Sequence, residues 1–139
     1  MANGAERVRD IMARHPPFVR TGTDLTEVVE MLLRQRMTGL PVVDDVDRVV
    51  GFVSEQDCLR SLLVSSYHHE GAPKVDDVMF SEPLTVKLDD AVVDVAQLMV
   101  KQKPKLYPVV DQAGRLQGLL MRGQVLACLV DNRRHQGAG

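Results

Sequence analysis

The sequence predicts a mixed α/β (α+β) chain made of two tandem units, each running helix, strand, helix, hairpin, helix, packed as one pseudo-twofold body. Three observations predict it. A shift of 67 residues lays 8–64 onto 75–131 without a gap and gives 15 identities in 57 positions, where average composition gives about four. Each copy carries one apolar stripe at helical spacing. Each copy also carries two β-prone runs separated by turn formers.

The elements follow in order. A short helical start (8–12, repeated at 75–79) leads to a Pro and a β-prone pair, Phe18-Val19 and Thr85-Val86. Leu25, Val28, Val29, Leu32 and Leu33 then fall at i, i+3, i+4, i+7 and i+8, matched by Val92, Val95, Ala96, Met99 and Val100. Asp24 with Glu27 is expected to cap the first of these helices reciprocally, and Asp90 to cap the second. Hairpin strands 40–43 and 49–53 flank Asp44-Asp45-Val46-Asp47-Arg48; strands 107–110 and 116–120 flank Asp111-Gln112-Ala113-Gly114-Arg115. A final helix is expected to turn Cys58, Leu59, Leu62 and Leu63 inward, matched by Val125, Leu126, Leu129 and Val130. The boundaries that follow are 6–66 for the first unit, 67–74 for a linker, 75–131 for the second unit and 132–139 for a flexible polar tail. A sixty-residue unit buries too little apolar area to stand alone, so the two are expected to share one body.

Composition narrows the function. Of 139 residues, 45% are hydrophobic and 26% charged, the composition of a globular chain, with a net charge of −2 and only 4% aromatic. Neither a basic stripe nor aromatic platforms for nucleic acid stand out, so no nucleic-acid partner is expected. No apolar run reaches the ~18 residues of a membrane span, and the first residues show no signal-type apolar stretch; a cytoplasmic, membrane-free protein is the expectation. Cys58 and Cys128 form no metal-type spacing and read as reduced core residues. No nucleophile–base grouping suggests an enzyme. His68-His69-Glu70 reads as a solvated helix end and the acidic turn at Asp44, Asp45 and Asp47 as a polar hairpin turn, so no metal site is expected.

Val-Arg-Asp-Ile-Met at the start, Leu-Pro-Val-Val-Asp on the hairpin and Val-Gly-Phe-Val-Ser-Glu-Gln-Asp before the last helix, in duplicate order over about residues 6–131, resemble the CBS domain, whose paired form is often called a Bateman module. The resemblance implies a stand-alone, non-catalytic regulatory module with no required cofactor. It implies an adenine nucleotide of the AMP, ADP or ATP class, or another adenosyl compound, in a cleft between the units. It also implies a homodimer that signals to an effector protein. The alternative is a ligand-free structural or dimerisation module.

The family's ribose-and-phosphate motif falls on Gly51-Phe52-Val53-Ser54-Glu55-Gln56-Asp57. A carboxylate such as Asp57 can accept from both ribose hydroxyls, and the Ser54 hydroxyl with the helix-start amides can meet a phosphate. The competing reading is that Ser54 caps the helix and Asp57 is a favourable first-turn charge. By resemblance the site comprises Phe52, Ser54, Gln56 and Asp57, with Leu84, Thr85, Val86, Lys105, Leu106 and Tyr107 from the other unit; Lys105 is within reach of a phosphate there, although a lone Lys before a strand is more often just solvated. The second copy has Met121 for Ser54 and Gln124 for Asp57, so one nucleotide cleft per chain is expected, with Arg122 a weak substitute.

Overall fold

The computed structural model describes residues 6–68, 73–102 and 104–138, with the side chains of 65–68 and 135–138 left aside. The chain divides into two compact units, and the division differs from the order of the repeats. One unit is 17–83; the other joins the start of the chain, up to residue 16, to everything from residue 84 onward.

In the 17–83 unit, β2 (Val19–Arg20) lies parallel to β3 (Gly39–Val43), which forms an antiparallel hairpin with β4 (Val49–Ser54). Helices α2 (Leu25–Gln35) and α3 (Glu55–His68) contribute Leu25, Val28, Leu32 and Cys58 to one core, where they meet Val19, Leu40, Val42, Val53 and Val75. Arg36 ends α2 in the left-handed region, where its N–H reaches the carbonyls of Leu32 and Leu33. The free edge of β4 is taken by Phe80: Phe52 and Phe80 exchange both backbone hydrogen bonds, at 2.9 and 2.8 Å.

The composite unit repeats this plan. β5 (Val86–Lys87) lies parallel to β6 (Leu106–Val110), which pairs with β7 (Leu116–Met121), and the free edge of β7 is taken by β1 (Ala13–Arg14). Helices α1 (Val8–Ile11), α4 (Val92–Lys101) and α5 (Arg122–Ala138) cover a core of Val8, Val92, Val95, Met99, Tyr107, Leu120, Val125 and Cys128. Ala13 and Phe80 are 67 residues apart, so the opening segment of each repeat closes the sheet of the other repeat's hairpin. Close packing accompanies the exchange. Gly51 lies against Met79, and a Cβ at Gly118 would come within 2.6 Å of the Met12 sulfur and 2.7 Å of the Ala13 carbonyl.

Several expectations need correction. Asp24 is the α2 N-cap residue but makes no capping bond; its carboxylate pairs with Lys74 at 2.8 Å, because 73–75 docks beside that helix start through Leu25 N–H to Pro73 O and Val75 N–H to Thr23 O. Ala91, not Asp90, is the N-cap of α4, and Asp90 accepts instead from the Lys87 amide at 2.9 Å. The second repeat's opening is a 3₁₀ turn, Val75–Asp77. Leu33, Leu59, Leu63, Val100, Leu126 and Val130, expected inside, are exposed. Each lies at the flank of a stripe whose centre (Leu32, Cys58, Met99, Val125) already fills the core. Residues 132–138, expected as a tail, continue α5 as helix. The middle of the expected linker, 69–72 with His69, Glu70 and Gly71, lies outside the described residues. Among the described residues no helix is long and apolar enough to cross a membrane, and no three His, Cys, Asp or Glu side chains are grouped as for a metal.

Candidate functional site

β4 passes into α3 with no loop between Ser54 and Glu55, so the strand end places Ser54 at the helix N-cap. The Ser54 hydroxyl accepts from the Asp57 amide at 3.1 Å, and the Asp57 carboxylate accepts from the Ser54 amide at 3.2 Å. This is a reciprocal capping box. The other carboxylate oxygen accepts from Arg60 at 3.4 Å. The bond from the Ser54 amide sits at the long end of the usual range and the Arg60 contact lies beyond it, and a carboxylate has about four acceptor positions; the side chain, 27% exposed, retains capacity to accept. The Ser54 proton is likewise free of any capping duty. The backbone is less available than the sequence suggests, because the Glu55 amide donates to Thr38 O at 2.9 Å and the Asp57 amide to Ser54. Next in the helix, Cys58 is 3% exposed, and burial, with Asp57 and Glu55 adding, pushes its thiol above the ordinary range. It is core, not a nucleophile.

Strand pairing sets what surrounds this corner. Leu40, Val42 and Val53 point to the helices, so Gly39, Pro41, Phe52 and Ser54 share the opposite sheet face. Gly39 pairs directly with Ser54, and a Cβ at Gly39 would overlap the Phe52 ring, which therefore lies over Gly39 beside Ser54. Phe80, 60% exposed, flanks Phe52. Gln56 is exposed on the first turn of α3. Phe52, Ser54, Gln56 and Asp57 thus form one local cluster. Phe80 and Gly39 belong to it too, and the sequence reading passed over both. The repeat held the signal for Phe80, since the position matched to it is the small Ala13.

The other six expected residues are in the composite unit, on the adjacent strands β5 and β6 or just before them. Leu84, Thr85 and Lys105 are exposed and Leu106 is half-buried. Val86 (3% exposed) and Tyr107 (0%) are core side chains, so they can offer a ligand only their backbone. The Tyr107 hydroxyl finds no hydrogen-bond partner among the described residues, and burial raises its pKa. The start of α5 keeps the backbone plan, with Arg122 N–H donating to Lys105 O at 3.2 Å, and half the capping box, with Met121 N–H donating to the Gln124 side-chain oxygen at 2.8 Å. Met121 cannot return a bond.

Comparisons with known proteins identify the fold. The family model for the CBS domain matches twice, at residues 8–64 and 75–131. The CBS domain-containing protein CBSX2 of Arabidopsis thaliana is 30% identical over 95% of this chain and 67% of its own length. A crystal structure of CBSX2 in complex with AMP superposes with a TM-score of 0.78 at 33% identity, over 92% of this chain and 98% of that one. The CBS domains of a transcriptional regulator from Streptococcus pneumoniae, at 21% identity, share the fold with a TM-score of 0.77 over 88% of this chain and 98% of theirs. With both repeats matched across their full extent and the same hairpin-to-helix corner built twice, the chain belongs to the CBS domain family and carries that domain as a tandem pair.

Proposed function

We propose that this chain is a regulatory ligand-sensing module whose Ser54–Asp57 corner holds the ribose and phosphate of an adenosyl compound of the AMP, ADP or ATP class, passing the signal to a partner protein. The observation that carries the reading is the pairing of a Ser hydroxyl and an incompletely used Asp carboxylate at one helix start. The AMP complex of CBSX2 supports the ligand class. The Met121–Gln124 corner lacks both groups and is not assigned a ligand. Thermal unfolding tests it: AMP, ADP or ATP at 100 times Kd should add about 2.7 kcal/mol of stability. Asp57→Asn, which keeps an acceptor for the Ser54 amide, should remove that increment, and Gln124→Ala should leave it. No shift with any of the three nucleotides, or an undiminished shift in the Asp57 variant, refutes the reading.

A second reading, self-association, is favoured by one specific observation and is compatible with the first. Leu33, Leu59 and Leu63 on α2 and α3 are exposed, and their repeat partners Val100, Leu126 and Val130 on α4 and α5 are exposed as well. Beside the first set lies an apolar groove of about 240 Å³ lined by Val29, Leu32, Cys58 and Leu62. Exposed apolar faces of this kind mark contact surfaces. We propose that they form a homodimer; a monomer mass by light scattering for the wild type contradicts it, and Leu59→Glu should convert dimer to monomer.

A further inference from the structure

The three phenylalanines of the chain, Phe18, Phe52 and Phe80, all belong to the 17–83 unit. Their repeat partners in the composite unit are Thr85, Leu119 and Ala13. The phenylalanine rings are therefore confined to the unit that also holds Ser54 and Asp57, while Tyr107 of the composite unit is a buried core side chain. Ala13 shows that the edge position needs only its backbone to close the sheet, since it pairs with Leu119 without any large side chain. The phenyl group of Phe80 is thus surplus to the fold, and it is 60% exposed. Gly39 has the same character. Its partner in the repeat is Leu106, and only a residue without Cβ leaves room for the Phe52 ring to lie over β3 beside Ser54.

We infer that Phe80 and Phe52 form a stacking surface for the aromatic base of the ligand whose ribose is held at Ser54 and Asp57; this rests on the nucleotide reading above and adds the element that grips the base. The spacing suits a nucleoside. Phe52 and Ser54 are two residues apart on one strand face, roughly 7 Å, so a ribose at the corner directs its base along β4 toward the two rings. Gly39 and Pro41, the other side chains of that face near Phe52, offer no hydrogen-bonding group, so the base is held here through its π face, as on other aromatic platforms.

The test compares a ligand with a base and one without. AMP and ribose 5-phosphate are titrated into the full chain and into Phe80→Leu, which keeps the backbone pairing and apolar bulk. The expected result is a roughly ten-fold weaker AMP affinity in the variant, with ribose 5-phosphate binding unchanged between the two proteins. The chain contains no Trp, so Phe80→Trp supplies a lone indole whose fluorescence AMP should quench and ribose 5-phosphate should not. If AMP binds wild type and Phe80→Leu equally, or leaves the F80W emission unchanged at saturation, the stacking role is overturned while the nucleotide reading stands. If AMP fails to bind the wild type, the same titrations are run with ADP and ATP, and if none of the three binds, both are overturned.

Discussion

Glu55 and Arg122 open the final helices of the two units, and each donates its amide to the carbonyl that precedes its own hairpin, Thr38 and Lys105. At both corners the side chain three residues after the N-cap reaches back to the N-cap amide, Asp57 at 3.2 Å and Gln124 at 2.8 Å. Beyond that the corners part. Ser54 answers Asp57 with its hydroxyl, whereas Met121 has nothing to give. The difference teaches that the backbone plan of the corner needs only one of its two side-chain bonds. The second bond, the carboxylate and the neighbouring rings are free to diverge, and they diverge together.

Four substitution sets sharpen or break that comparison. The largest effect is expected at the glycines facing the exchanged segments. Gly118→Ala should cost about 2–3 kcal/mol, because the new methyl meets the Ala13 carbonyl as well as Met12, and backbone yields less than a side chain. Gly51→Ala should cost less, since among the three nearest atoms only Met79 side-chain atoms oppose it. Denaturant midpoints of the two variants check the order, and equal losses would mean the two seams are equally rigid.

At the corners, Ser54→Ala should cost about 1 kcal/mol, the usual value of a lost N-cap. Met121→Ser should add somewhat less than that, because Gln124 already supplies the reciprocal half. A loss on Met121→Ser would show that its packing outweighs the cap. The hairpin turns come next. Asp47 (φ 68°) and Gly114 (φ 84°) occupy the same left-handed position. Gly114→Ala should cost about 1 kcal/mol from backbone strain alone, as nothing lies within 4 Å of the new methyl. Asp47→Gly should gain a few tenths at most, offset by its 2.8 Å pair with Arg20.

The smallest effect is an acid limb common to both units. Asp44 and Asp111 accept from the backbone amides of Arg48 and Arg115, which hold their carboxyls below the usual range, with further bonds from Val46 and Ala113. A carboxyl depressed on folding stabilises the fold fully above its unfolded pKa and loses that contribution as pH falls through the folded value. Asp44→Asn and Asp111→Asn should therefore each flatten the fall in urea midpoint below about pH 4, and by similar amounts. Unequal flattening would show that the turns differ as the corners do.

Much of this was legible beforehand. Repeat spacing, hairpins and stripes follow from Pro41-Val42-Val43-Asp44 and its copy and from helical periodicity, all of them local signals. The exchange of opening segments was not legible, because a 67-residue repeat looks the same whichever hairpin each copy's start closes. Asp24 was placed correctly as the N-cap of α2 but its capping bond does not form, and the cap of α4 was placed one residue early at Asp90, because the competing partners, Lys74 and the Lys87 amide, arrive through tertiary contact or a neighbouring turn. Leu59 and Leu126 were placed inside because periodicity reports apolar flanks without saying what covers them. At the site, Ser54 and Asp57 stood out through the family motif they fill, since by residue type alone they read as a helix cap and a first-turn charge. Phe80 did not, since its place beside Phe52 depends on an isolated pair of backbone bonds across 28 positions of sequence.

The exchanged segments also bear on how the chain is made. The 17–83 unit has all its parts once Pro83 has been synthesised, but Val8 and Met12 must wait for Leu120 and Gly118, more than a hundred residues later. At ordinary elongation rates that delay is on the order of ten seconds. For the last few seconds of that interval the opening arm trails from a finished unit, its docking seam not yet in existence, and is open to capture by a nascent neighbour on the same message that is further along. Co-translational pairing between adjacent ribosomes is thus a liability built into this duplicated architecture.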